Sequence, residues 1–394
     1  MPTPRPVLAG ITVLELCEVY QGPVAGQSLG DFGARVIKVE RGPRGDPLRG
    51  SDVHATAKGA MSSHFAAANR NKQSICLDLK CEEGRAALRC LARGADVLMH
   101  NYRPGVMERL GLGYDRLAAD NPGLIYAAGS GFGEAGPWAD LPGQDLLIQS
   151  VSGIASRGEE APDYVNAPLT DFASGMLLVQ GILLALMERA HSGKGQRVSV
   201  SLFDAAVAIQ GLEAASVLNH GATTRWMDLA PNFPIRTADG WLTVLGFFRD
   251  NPLRLICEAL EIDDLSAELG VPTQIDQLRR RGDIVARLAP VFARIGQDEA
   301  LERLRKVGIL AAPVLDFVDT LRLPQVAANA MLASVPVEGE APVRVTAQPL
   351  RLSRTPAKTV AGPPHLGAHT AAVLGEFGFD CEKIRAASGA TASV

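Results

Sequence analysis

The sequence predicts an α/β protein: a large domain built on a Rossmann-like, doubly wound parallel sheet, accompanied by a smaller α+β domain. Three observations carry that expectation. Short, near-continuous apolar runs alternate with segments of helical period as far as residue 206, the pattern of strands buried on both faces. Beyond residue 222 the texture changes to loops and short alternating strands, then to arginine-rich helices. Near the end, "HTAAVLGEFGF" (369–379) regains the helical spacing of an element that closes back on the first domain.

"ITVLEL" (11–16) reads as the first strand, "GPVAGQSLGDFG" (22–33) as a helix and "ARVIKVE" (34–40) as the second strand. "SICLDLK" (74–80) is a third strand, and "CEEGRAALRCLARG" (81–94) sets its apolar residues at helical spacing. "ADVLMHN" (95–101), a short helix through Tyr114–Ala119 and "GLIYAAGSG" (123–131) continue the alternation. The apolar helix that begins near Asp171 stops at the glycines of "HSGKGQ" (191–196), and "RVSVSLFDAA" (197–206) is a strand entering a helix. In "TTRWMDLAPNFPIRTADGWLTVLGF" (223–247), antiparallel strands flank an Asp239-Gly240 turn. "APVRVTAQPLRLSRTP" (341–356) reads as extended chain. Residues 1–222, completed by 326–394, are thus expected to form the large domain, and 223–325 the small one.

Composition narrows the function. Hydrophobic residues make up 47% and charged residues 21%, which is globular, and a net charge of -4 exerts no global pull on nucleic acid or an anionic membrane. The six cysteines (Cys17, Cys76, Cys81, Cys90, Cys257, Cys381) are scattered, against a zinc site or disulfide framework and in keeping with a reducing cytosol. "MPTPRPVLAG" lacks the apolar core of a signal peptide, and the apolar run 176–187 is interrupted by Gln180 and Gly181 and reads as too short for a bilayer. The expectation is a cytoplasmic protein with no metal, no nucleic acid and no membrane.

Few motifs carry chemistry. "GFGEAG" (131–136) fits G-x-G-x-x-G, but Pro137 and Pro142 follow where a phosphate-binding helix would have to start, so it reads as a loop at the sheet's carboxyl edge. Basic residues recur near strand ends (Lys38, Arg41, Lys72, Lys80, Arg103, Arg109), where open parallel sheets bind ligands and where Lys and Arg suit phosphates. Asp171, in "APLTDFASGM" (167–176), stands at the mouth of the apolar helix. It is a strong candidate N-cap; with Thr170 as cap instead, it would be free in the first turn as nucleophile or base. An ordinary carboxylate there is ionised at neutral pH, and Ala173, Ser174 and Gly175 would let another backbone or a bulky ligand come close. Cap and catalyst both remain open on these grounds.

The stretches "QGPVAGQSLGDFGARVIKVER" (21–41), "NRNKQSICLDLK" (69–80), "NYRPGVMERLGLGYDRL" (101–117), "SGFGEAGPW" (130–138), "PGQDLLIQSVSG" (142–153), "TDFASGM" (170–176), "SGKGQRVSVSLFDA" (192–205), "GILAAPV" (308–314) and "HLGAHTAAVLGEFG" (365–378) together resemble the family III CoA-transferases, in order and over nearly the whole chain. This CaiB/BaiF group includes formyl-CoA transferase, carnitine CoA-transferase and α-methylacyl-CoA racemase. The resemblance implies an interlocked homodimer that moves CoA from an acyl-CoA to a small carboxylic acid, with CoA as substrate and no tightly bound cofactor. It implies that Asp171 is the nucleophile, passing through aspartyl anhydride and aspartyl-CoA thioester intermediates. It further implies that Tyr20, Gln21, Arg41, Leu77, Lys80, Asn101, Tyr102, Arg103, Arg109 and Gln144 line or hold CoA, Arg41 and Arg109 at the adenosine diphosphate.

Departures from the family pattern matter. Where the racemase branch has histidine, this chain has Gln144, which cannot act as acid or base near neutral pH. The glycine-rich lid of the formyl-CoA transferases has no counterpart between residues 222 and 262, and Pro142 stands where that enzyme has lysine. The alternatives are an α-methylacyl-CoA racemase or epimerase, or a silent CoA-binding paralogue. The helix N-terminus is expected to keep Asp171 ionised and to offer N–H groups to oxyanions. Arg225, Arg236 and Arg249 are candidates for a second substrate carboxylate.

Overall fold

Six parallel strands form the central sheet: β1 (Thr12–Leu16), β2 (Arg35–Glu40), β3 (Lys72–Cys76), β4 (Val97–His100), β5 (Ile125–Ser130) and β6 (Arg197–Ser201), in the order β3-β2-β1-β4-β5-β6. This is a computed structural model, and it describes residues 5–157, 161–223, 227, 230–246 and 248–389. Two units divide the chain, Met1–Ile209 with Asn329–Val394, and Gln210–Ala328.

Alternate residues of β1, β2, β4 and β5 enter different cores, so both faces of the sheet are covered. Leu14, Leu16, Ile37, Val39, Leu98 and Tyr126 pack on one face with α2 (Glu82–Arg93) and with Val373 and Leu374 of the helix Thr370–Glu376. Val13, Val36, Val97, Met99, Ile125 and Ala127 pack on the other face with α1 (Gln21–Asp31). The helix Thr370–Glu376, within the stretch 369–379 read as helical, thus packs on the first of these faces.

Some expectations shift. The third strand runs Lys72–Cys76 rather than 74–80, and a turn occupies Leu79 and Lys80. Only Glu340–Thr346 of the stretch expected to be extended is a strand, and it forms a hairpin with Leu332–Val337. The helix α3 (Asp145–Ser152) was not anticipated. The apolar helix is α4 (Leu169–Ser192), whose 24 residues are long and apolar enough, by length and composition, to cross a membrane. That corrects the reading of residues 176–187 as too short. Leu178, Ile182 and Ala185, one stripe of α4, are buried in the core against the sheet.

In the second unit, strands Phe233–Arg236, Trp241–Leu245 and Leu310–Pro313 form an antiparallel sheet, with Trp241 opposite Arg236 across the Asp239-Gly240 turn. Phe233, Ile235, Leu242 and Val244 join Ile256, Leu288, Phe292 and Leu304 of its helices in a separate core.

Candidate active site

Four strands, β1 to β4, end at the sheet's carboxyl edge in loops that carry residues singled out by the sequence. Strand order reverses between β1 and β4, so the chain leaves these neighbours in opposite directions and a crevice opens there. A cavity of about 360 Å³ fills the crevice and brings together Tyr20, Gln21, Asn101, Tyr102, Gln144 and Asp171. A second cavity of about 340 Å³ shares Asn101, Tyr102 and Gln144 and adds Arg103.

The remaining candidates stand apart. Arg41, Lys80 and Arg109 are exposed and line neither cavity. Leu77 is 1% exposed in the core, so its side chain faces away from any ligand and only its main chain is left to meet one. Two of the cations expected near strand ends lie within the sheet instead, Lys38 inside β2 and Lys72 at the start of β3, and are structural. Lys38 Nζ lies 3.1 Å from Glu15 Oε1 and 2.9 Å from Asp46 Oδ2, and Lys72 Nζ lies 2.8 Å from Glu15 Oε2, all four side chains being fully buried or nearly so. In the second unit, Arg249 Nε donates to the Gly308 carbonyl at 3.0 Å, Arg236 sits on the exposed face of its strand, and Arg225 lies outside the described residues.

Asp171 is not the cap of α4. The N-cap position is Pro168, which makes no side-chain capping bond. The cap comes from α3: Asp145 Oδ1 accepts from the Thr170 backbone N–H and Oγ1, both at 2.6 Å, and from the Asp171 N–H at 3.2 Å. Asp145 Oδ2 accepts from Gln149 Nε2 at 2.6 Å, which fixes the carboxylate. The Asp171 side chain is left free at the cavity wall. Burial, and then the charge of Asp145, push its carboxyl up to about 7. The expected ionised carboxylate is thus half protonated near neutral pH, and two first-turn N–H groups expected to serve oxyanions are engaged by Asp145.

Two glycines set Gln21 beside Asp171. A Cβ on Gly175, one turn along α4, would sit 2.6 Å from the Gln21 carbonyl oxygen, so α1 can lie against α4 only with glycine there. A Cβ on Gly129 of β5 would sit 2.6 Å from Gln21 Oε1. The sequence suggested such a close approach at Gly175; its partner could not be read. Tyr20, at the N-cap of α1, has its hydroxyl raised by burial and then by the Asp171 carboxylate.

Asn101 is committed to the protein. Its Oδ1 accepts from the Glu18 N–H at 2.9 Å and its Nδ2 donates to the Glu18 carbonyl at 2.8 Å, tying the loop after β1 to the end of β4. Gln144 precedes α3 and makes no capping bond, so its amide is available on the wall of both cavities. Among the described residues, no group of three or more His, Cys, Asp or Glu side chains could hold a metal ion. Asp145 is the site residue that sequence reasoning missed. Its place before "LLIQSVSG" marks a helix start, but its partner lies 25 residues on.

The family model described as CoA-transferase family III matches residues 8–370. A succinate–glutarate CoA-transferase of Agrobacterium fabrum is 31% identical, with 96% of this chain and 97% of that protein covered. An α-methylacyl-CoA racemase of Mus musculus is 34% identical over 96% of this chain and 95% of its own. The crystal structure of a CaiB/BaiF family protein from Brucella suis superposes with a TM-score of 0.84 at 31% identity, covering 95% of this chain and 100% of that one.

Proposed function

The chain belongs to CoA-transferase family III, and on that premise we propose that it moves CoA from an acyl-CoA donor to a free carboxylic acid, with Asp171 as nucleophile. The observation that carries this reading is a carboxylate on the wall of the switch-point cavity, released from capping by Asp145 and raised to about 7 by burial. A carboxylate that basic is a stronger nucleophile, once ionised, than an ordinary aspartate.

Ionised Asp171 attacks the donor's thioester carbonyl, the C–S bond breaks, and a mixed anhydride and CoA thiolate result. The thiolate attacks the aspartyl carbonyl, giving an aspartyl-CoA thioester and freeing the donor's acid. The acceptor carboxylate then attacks that thioester, re-forming thiolate and a second anhydride, and the thiolate takes the acceptor acyl group and restores Asp171. Each step exchanges one acyl bond for another, so the sequence balances without ATP. Tyr20, Gln21, Tyr102 and Gln144 surround this chemistry, with Arg103 at the adjoining cavity; Arg41, Lys80 and Arg109 would reach the nucleotide only from outside the cavities.

A basic Asp171 would also suit abstraction of an α-proton, and one relative bears a racemase name. Against that stands Gln144, which supplies no second acid or base. We also propose that the chain works as an interlocked homodimer. In support, α4 leaves Phe172, Leu177, Leu183, Leu184 and Met187 between 37% and 65% exposed, more apolar surface than one helix normally shows to water.

The test is a screen of acyl-CoA donors against short mono- and dicarboxylic acids, read by mass spectrometry in deuterated buffer. It starts with succinyl-CoA and glutarate, after the acids in the Agrobacterium relative's name. New acyl-CoA species without α-deuterium support transfer; α-deuterium without an acceptor acid supports epimerisation; CoA binding with neither sinks both.

A further inference from the structure

Between β1 and α1 the chain passes through Val19, whose φ of 65° lies in the left-handed region. A β-branched residue is a genuine outlier there, because its Cβ crowds the following carbonyl oxygen. Such a conformation persists only where its surroundings over-determine it, and here two side chains from elsewhere in the fold do so. Asn101 grips both backbone polar groups of Glu18, the residue before. Asp46 Oδ1 accepts the Val19 N–H at 3.1 Å and also the Leu48 N–H at 2.9 Å. Asp46 Oδ2 is 2.9 Å from Lys38 Nζ, and Glu40 Oε2 accepts the Asp46 N–H at 3.0 Å, so the clamp is anchored in the sheet.

Directly after Val19 come Tyr20, the N-cap of α1, and Gln21, whose carbonyl packs on Gly175 one turn from Asp171. Val19, Tyr20 and Gln21 all line the cavity that holds Asp171. Were Val19 to relax to negative φ, the first turn of α1 would swing relative to α4. We propose that Asp46, anchored by Lys38, is a positioning residue that holds Val19 in its left-handed conformation and so fixes Tyr20 and Gln21 against Asp171. The effect on catalysis rests on the reading of this cavity as the CoA-transfer site; the clamp itself does not.

The full-length wild type is compared with Asp46→Ala, Asp46→Asn, Val19→Pro and the double variant Asp46→Ala/Val19→Gly. Two readouts are used: amide hydrogen exchange of the segment 17–24, and transfer between succinyl-CoA and glutarate or the most active pair from the screen. Asp46→Ala is expected to speed exchange in 17–24 and to lower kcat roughly tenfold to 10²-fold, the loss that a displacement of about 1 Å brings, with a smaller change in KM. Asp46→Asn keeps the Oδ1 acceptor but sets an amide N–H group against Lys38 Nζ in place of the anchoring oxygen, so its kcat should fall between those of the wild type and Asp46→Ala. The double variant should recover part of the lost kcat, because glycine takes positive φ without a clamp.

Unchanged exchange in 17–24 overturns the clamp. Faster exchange with unchanged kcat overturns the positioning role, as does a loss that follows melting temperature and is not relieved by Val19→Gly. If Asp46→Ala does not fold, Val19→Pro decides: it removes the N–H and forbids positive φ, so wild-type transfer by that variant overturns the inference. A wild type that transfers CoA to no acid refutes the function instead, while the exchange data still decide the clamp.

Discussion

Asp145 Oδ1 stands 2.6 Å from the Thr170 backbone nitrogen and equally close to Thr170 Oγ1, so one carboxylate caps the helix whose first turn presents another. The arrangement divides two tasks between two aspartates: Asp145 satisfies the helix end, and Asp171 faces the cavity under the influence of its charge.

Replacing Asp145 should move the pH dependence of the reaction. Asp145→Asn retains an acceptor for the Thr170 N–H but removes the neighbouring charge that helps to raise Asp171. The rise of kcat/KM with pH, expected near 7 in the wild type, should shift to lower pH in the variant. Asp145→Ala should in addition lose the cap, about 0.5–2 kcal/mol in urea denaturation. An unshifted pH–rate profile in Asp145→Asn would show that its charge does not act on the nucleophile.

Asp171→Asn should abolish transfer, lowering kcat by at least about three orders of magnitude, the scale of loss when a nucleophile is removed. Stability should move the other way. The folded-state value of Asp171, about 7, lies above its ordinary 3.8, so the stability tied to its protonated form is present at low pH and lost as pH rises toward 7. Asparagine removes that loss, and the variant should gain roughly 1–3 kcal/mol over wild type at pH 8 and little at pH 4. Melting curves at the two pH values check the sign.

Gly175→Ala should disturb the site without touching Asp171. Its methyl would meet the Gln21 carbonyl at 2.6 Å and Val24 Cγ1 at 2.7 Å, neither a floppy end of a side chain. Separation of α1 from α4 should cost about 1–3 kcal/mol and reduce kcat. Gly282→Ala, in the helix Arg281–Phe292 with nothing near its Cβ, is the control and should raise the melting temperature slightly.

Gln144→His asks whether the cavity can be turned toward proton movement. The side chain is exposed on the same wall as Asp171, so histidine would add a second titratable group. Deuterium from solvent should then enter the α-carbon of a 2-methylacyl-CoA, where the wild type incorporates none. Absence of deuterium in a folded Gln144→His protein would mean that position 144 does not choose between the two chemistries.

The doubly wound core was legible because its strands are nearly pure apolar runs: Val36, Ile37 and Val39 feed two cores by simple alternation. Lys72 broke the rule. A charged residue at the head of a strand reads as solvent-facing, yet Glu15 pairs with it 57 residues away, so β3 begins two residues earlier than its apolar run suggests. Asp171 stood out as a carboxylate on an apolar helix, and the family resemblance supplied its expected role. What could not be read were the contacts made across the fold, Asp145 on Thr170 and Asp46 on Val19, because nothing local to either pair encodes the other.

The contact between Gly129 and Gln21 makes those two positions a single choice of volume. The obstacle to a side chain at 129 is the movable end of Gln21, whereas the obstacle at 175 is main chain. A library meant to reshape the cavity for another acid should therefore vary Gln21, on its wall, together with Gly129, which the Gln21 side chain packs against, and leave Gly175 alone. Randomised singly, position 129 would look intolerant when it is merely waiting for a shorter neighbour.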